Sequence, residues 1–189
     1  RRQRQMCIRD RLSKNHFHMF TTSGGAATVM TWLERWSQTE WPELKVYLTS
    51  VTDHWSTMSI VGPNARHIVS KLCDDIDFTP EAFPFMTFRE GTVAGVPARV
   101  FRVSFTGELS FEVNVNANYG KYIWESIMEA GTEYNITPWG TESMHTMRGE
   151  KAYLIVGQDT DGSVTPVDLG MERMISKTKD FLGKRSLIR

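Results

Sequence analysis

The sequence predicts an α+β fold in which antiparallel sheets carry packed helices. Three observations lead there. Residues 109–115 alternate strictly, with Leu109, Phe111, Val113 and Val115 on one side and Ser110, Glu112 and Asn114 on the other. Two apolar runs, residues 88–93 and 96–105, flank Ala94-Gly95 with the spacing of a hairpin. Helix-periodic segments interleave with the strands, and that order suits helices on one face of an antiparallel sheet.

In chain order, residues 15–20 combine aromatic and apolar side chains as a short strand. Thr21, Thr22, Ser23, Gly24 and Gly25 form a turn rich in helix N-cap residues. A helix follows over residues 27–38, with Val29, Leu33 and Trp36 as its inward face, and Trp41-Pro42 ends it. Val46 and Leu48, then residues 52–61, read as two strands around a turn near Asp53-His54. Gly62-Pro63 opens a helix over residues 66–72, since proline suits a first turn. The hairpin comes after a loop around Pro80 and Pro84. Tyr119, Ile123, Ile127 and Ala130 mark a helix that stops at Gly131, and another covers residues 141–151. The stretch GQDTDGS, residues 157–163, has acidic spacing but lacks the closing glutamate of a calcium loop, so it reads as a turn.

Basic and acidic residues balance at 22 each, and 40% of the chain is hydrophobic, an ordinary globular composition. No apolar run reaches the roughly 18 residues of a membrane span, and nothing resembles a signal peptide. Charge is uneven, however. Residues 1–11 hold five arginines against one aspartate. They read as a disordered basic segment or as a stretch foreign to the native protein, leaving residues 12–189 as the folded region. The remainder is mildly acidic, which argues against a nucleic-acid partner. Cys7 and Cys73 supply no disulfide framework, and a reducing cytoplasm is the simplest setting. His16 and His18 share a strand face without a third ligand, so no metal site is expected.

The chemistry-bearing candidates each have two readings. Glu112 is either a solvated carboxylate or an acceptor for the paired N–H donors of a pterin's 2-amino-4-oxo edge. Arg148, beside the apolar stripe of its helix, either snorkels or aims a guanidinium at a ligand oxygen. Phe85, Phe88 and Phe105 are either core or the walls of a pocket for a flat heteroaromatic ring.

The combined pattern resembles the glycine-cleavage T-protein (aminomethyltransferase) family. The matching stretches are FRVSFTGELSFEV from Phe101, then MRGEKAYLIVGQDTD, TPVDLGM and DFLGKRSL, in the family's order. HMFTTSGGAA, QTEWP, TSVTDHW and VGQDTDGSVTP are similar to the branch formed by α subunits of heterotetrameric sarcosine oxidases. That resemblance implies the aminomethyltransferase folate-binding fold, truncated at both ends, with a C-terminal barrel domain and an upstream NAD-binding half missing. It implies an oxidoreductase that converts sarcosine to glycine. This region would bind tetrahydrofolate and receive the one-carbon unit, while NAD, FAD and FMN sit elsewhere in an assembly with other subunits. Residue by residue, Glu112 matches the glutamate that holds the pterin, Arg148 an arginine that contacts folate, and Phe85 an aromatic that packs on it. Phe105 stands where the family has a tyrosine before Thr-Gly-Glu. The mechanistic aspartate belongs upstream of the Arg11-Leu12 pair, near Gln5 and Met6, and Asp10 is at the wrong offset. No catalytic residue is therefore expected in this stretch, and the isolated chain is expected to be inactive. Two other functions stay open: a stand-alone aminomethyltransferase and a non-catalytic folate-binding or assembly module.

Overall fold

The computed structural model describes residues 8–187. Residues 1–7, most of the segment expected to be disordered or foreign, lie outside the described residues. The rest of that segment, residues 8–11, is ordered, because it lies in a strand. β1 (Ile8–Ser13) pairs antiparallel with β2 (His16–Phe20), Ile8 facing Phe20 and Ser13 facing His16. The turn at Lys14-Asn15 folds the arginine-bearing stretch back, and its backbone groups find partners in the ladder. Arg11 braces the turn through hydrogen bonds to the Ser13 and Lys14 carbonyls.

The chain divides into two compact units, residues 1–20 with 152–189 and residues 21–151. In the first, GQDTDGS folds as a turn. Asp161 accepts hydrogen bonds from the Ser163 hydroxyl and amide, which hold its carboxyl below the usual range. Among the described residues no three His, Cys, Asp or Glu side chains converge as metal ligands.

The second unit is built on one antiparallel sheet of order β3-β6-β5-β4, formed by β3 (Trp55–Val61), β4 (Phe88–Val93), β5 (Val96–Phe101) and β6 (Ser110–Asn116). Ala94-Gly95 closes the β4–β5 hairpin with φ of 49° and 78°, the two-residue turn that matches strand twist. Ala94 tolerates this conformation while its N–H bonds the Leu72 carbonyl at 2.7 Å. Met58, Ile60, Val100, Phe111, Val113 and Val115 are buried on one side of the sheet. There they join Ile68 and Val69 of α2 (Ala65–Ser70) and Ile123 and Ile127 of α3 (Gly120–Ala130) in a single cluster. α3 ends at Gly131, whose N–H bonds the Ile127 carbonyl, and a side chain there would lie 2.7 Å from Ile136. Cys73 belongs to the same core, and burial, with Asp75 and Asp74 adding to it, pushes its thiol up to about 12. It is an inert packing residue.

Two expected strands are corrected. Residues 44–51 form none: Val46 and Tyr47 are 55% and 96% exposed. A short apolar pair does not hold an extended backbone without a neighbouring ladder. β5 ends at Phe101 rather than 105, although Arg102 still exchanges backbone hydrogen bonds with Met86 and Thr87. α1 (Ala26–Thr39) has the expected phase, with Val29, Leu33 and Trp36 half-buried, yet none of its residues is fully buried.

The chain leaves the ladder through the turn at Thr106-Gly107. Gly107 has φ of +81°, and a Cβ on it would lie 2.4 Å from Lys151 Cγ. Both features exclude a side chain. Gly107→Ala is expected to destabilise the protein by about 1–3 kcal/mol, measured by urea denaturation. An unchanged midpoint would show that the turn relaxes freely.

Candidate functional site

β6 lies between β3 and β5, so its residues have neighbours on both sides. Directly paired residues point to the same face. Register therefore fixes a row across four strands: Ser59 faces Glu112, Glu112 faces Phe101, and Phe101 faces Phe88. The row one step along holds Thr57, Asn114, Arg99 and Glu90. This face lies opposite the helix-covered core. Alternation predicts it to be wet, yet Ser110 and Asn114, on either side of Glu112, are each only 1% exposed.

Glu112 consequently sits half-buried in the middle of the sheet, and desolvation raises its pKa. Among the described residues no protein group forms a hydrogen bond or ion pair with its carboxylate. An ionisable group removed from water without a partner is costly for folding, and such groups concentrate where ligands bind. Phe101, only 3% exposed, and the half-buried Phe88 extend the row as an aromatic shelf, their rings stacked at 5.5 Å and 28°. Beside Glu112 on the other side, the exposed Ser59 offers a hydroxyl.

The other candidates are placed less uniformly. Arg148 lies in α4 (Thr141–Glu150), half-buried, with its Nε sealed from solvent. One turn later Lys151 pairs with Glu108 at 3.1 Å and packs on Gly107, so the end of α4 is pinned to the turn that feeds β6. Phe105 is half-buried in that same connection. Phe85 is 40% exposed and stacks on the Arg102 guanidinium at 5.4 Å, which also covers the Phe111 ring at 5.4 Å. Phe111 belongs to the core side of β6. Phe85 is thereby associated with the face away from Glu112, and the structure does not bring these two candidates together.

Sequence reasoning missed Phe101 as the aromatic beside the carboxylate. Its position follows from the β5–β6 register, which pattern alone did not supply. A groove of roughly 860 Å³ runs along the β3 edge and is lined by Thr57, Ser59, Trp124, Tyr134 and Trp139, among others. It is distinct from the Phe101–Phe88 side of the Glu112 row.

Comparison with known proteins adds three findings. The GCVT N-terminal domain family matches residues 7–179. Sarcosine oxidase subunit alpha from Corynebacterium sp. (strain U-96) is 53% identical over 95% of this chain, and the subunit from Rhizobium meliloti (strain 1021) is 42% identical over 95%. This chain spans only 19% and 18% of those relatives' lengths. Among solved structures, a heterotetrameric sarcosine oxidase from Corynebacterium sp. U-96 in complex with pyrrole 2-carboxylate matches with a TM-score of 0.49 and 17% identity. The match covers 66% of this chain and 58% of that one.

Proposed function

Since the chain belongs to the GCVT N-terminal domain family, we propose that it is the tetrahydrofolate-binding region of a sarcosine oxidase α subunit. In that reading it receives the one-carbon unit released when sarcosine is oxidised to glycine. The observation that carries the reading is Glu112, a desolvated carboxylate without a protein partner beside an aromatic shelf. Its two oxygens suit the ring N–H and 2-amino donors of a reduced pterin, and accepting them would stabilise the charged form that burial disfavours.

Tetrahydrofolate supplies, through N5, the nucleophile that takes up the one-carbon unit. This chain's part is to bind, orient and shield. Glu112 fixes the pterin edge, Phe88, backed by the buried Phe101, offers an apolar surface, and Arg148 offers positive charge to a folate oxygen. Phe105 contributes packing. Holding the nucleophile in a sheltered site converts a chance encounter into a positioned one. The other subunits of the assembly are its partners, and NAD, FAD and FMN reside elsewhere in it. No helix among the described residues is long and apolar enough to cross a membrane, and the proposed setting is the cytoplasm.

The test uses the full-length protein assembled with its partner subunits. Sarcosine turnover is followed with and without tetrahydrofolate, and both formaldehyde and methylenetetrahydrofolate are quantified. Diversion of the one-carbon unit from formaldehyde to the folate is expected. Unchanged formaldehyde yield at saturating tetrahydrofolate would leave a non-catalytic module as the better description.

A further inference from the structure

We propose that Asn114 is a second recognition group for the pterin, its side-chain amide donating a hydrogen bond to the ring's 4-oxo oxygen beside the donors that Glu112 accepts. The proposal rests on the folate reading above and deepens it.

Asn114 follows Glu112 by two residues on the same face of β6, a separation of roughly 7 Å along the strand. It is 1% exposed. The Thr57 hydroxyl donates to Asn114 Oδ1 at 2.6 Å, which orients the amide and turns Nδ2 away from β3. That nitrogen is buried and has no hydrogen-bond partner among the described residues. Burying amide N–H donors with nothing to accept from them is unfavourable, and side chains held this way are expected to meet an acceptor.

The chemistry of the neighbouring group identifies the acceptor. A carboxylate at Glu112 engages the 2-amino group and the ring N3–H. The next polar atom along that edge of the ring is the 4-oxo oxygen, an acceptor. Glu112 and Asn114 together present acceptor, acceptor and donor against the pterin's donor, donor and acceptor. A site with a buried unsatisfied donor discriminates strongly against ligands lacking the matching acceptor.

The measurement is binding, by tryptophan fluorescence and calorimetry, to the full-length protein. Two probes are compared: tetrahydrofolate, and its analogue carrying a 4-amino group in place of the 4-oxo oxygen. In Asn114→Leu, close in size but without the donor, tetrahydrofolate affinity is expected to fall roughly tenfold, and the preference for the oxo over the amino ligand to shrink by a similar factor. Thr57→Val, at an exposed position, releases the orientation of the amide and is expected to give a smaller loss of the same preference. It keeps the question answerable if the leucine variant does not fold. Equal weakening of both ligands, or none, would overturn the role of Asn114, leaving the folate reading intact so long as Glu112→Gln weakens binding. If Glu112→Gln has no effect, or the wild-type protein binds neither ligand, both readings fall together.

Discussion

Glu112→Gln is expected to weaken tetrahydrofolate binding by the full-length protein roughly ten- to a hundredfold, the worth of charge-assisted hydrogen bonds to a desolvated carboxylate. The unliganded protein should not suffer in the same way. Burial raises the pKa of Glu112 above its ordinary value, so the folded state prefers the protonated acid. Below the ordinary carboxylate range both folded and unfolded states are protonated, and the residue is tolerated fully. As pH rises, the unfolded state ionises first, and stability declines until the folded-state pKa has been passed. Glutamine has no such transition. Thermal melts across this range should therefore show the variant matching the wild type in acid and equalling or exceeding it at neutral pH. Bound folate should pull the carboxyl back down, because its donors favour the charged form. Equal folate affinities for the two proteins would remove Glu112 from the site.

The largest effect on stability is expected at the other face of the same strand. Phe111→Ala should cost about 3–5 kcal/mol, the range for removing a large buried aromatic. Phe111 is fully buried, and its ring meets Phe78 at 5.4 Å and Phe83 at 5.6 Å in edge-on geometry. The guanidiniums of Arg66 and Arg102 lie over it at 5.2 and 5.4 Å. Truncation leaves a cavity bounded by side chains that several elements hold in place, so little collapse can compensate. Domains of this kind hold a margin of only about 5–15 kcal/mol. Urea unfolding should show a large drop in midpoint with little change in slope. A midpoint within error of the wild type would mean that the ring is not the keystone of this core.

These two residues are adjacent, and the contrast between them separates what the sequence revealed from what it did not. Strict alternation through Phe111, Val113 and Val115 assigned the strand, its core side and the opposite phase of Glu112 and Asn114. The hairpin at Ala94-Gly95 and the stop at Gly131 were equally local and equally legible. Residues 8–11 belong to the stretch whose arginines suggested a disordered or foreign segment, and a short turn suffices to pair their backbone. Val46 and Leu48 failed in the opposite sense: their apolar character implied a strand, but no ladder holds that segment.

Taken alone, the sequence determined most of the elements and the membership that its motifs implied, because periodicity and turn chemistry act over a few residues. Only the tertiary structure decided that the polar side of β6 is not wet, that Phe101 rather than Phe85 flanks Glu112, and that Asn114 is held by Thr57. Those facts depend on strand register and on what covers the far face of the sheet. Desolvation is a property of surroundings assembled from distant parts of the chain, and no local pattern encodes it.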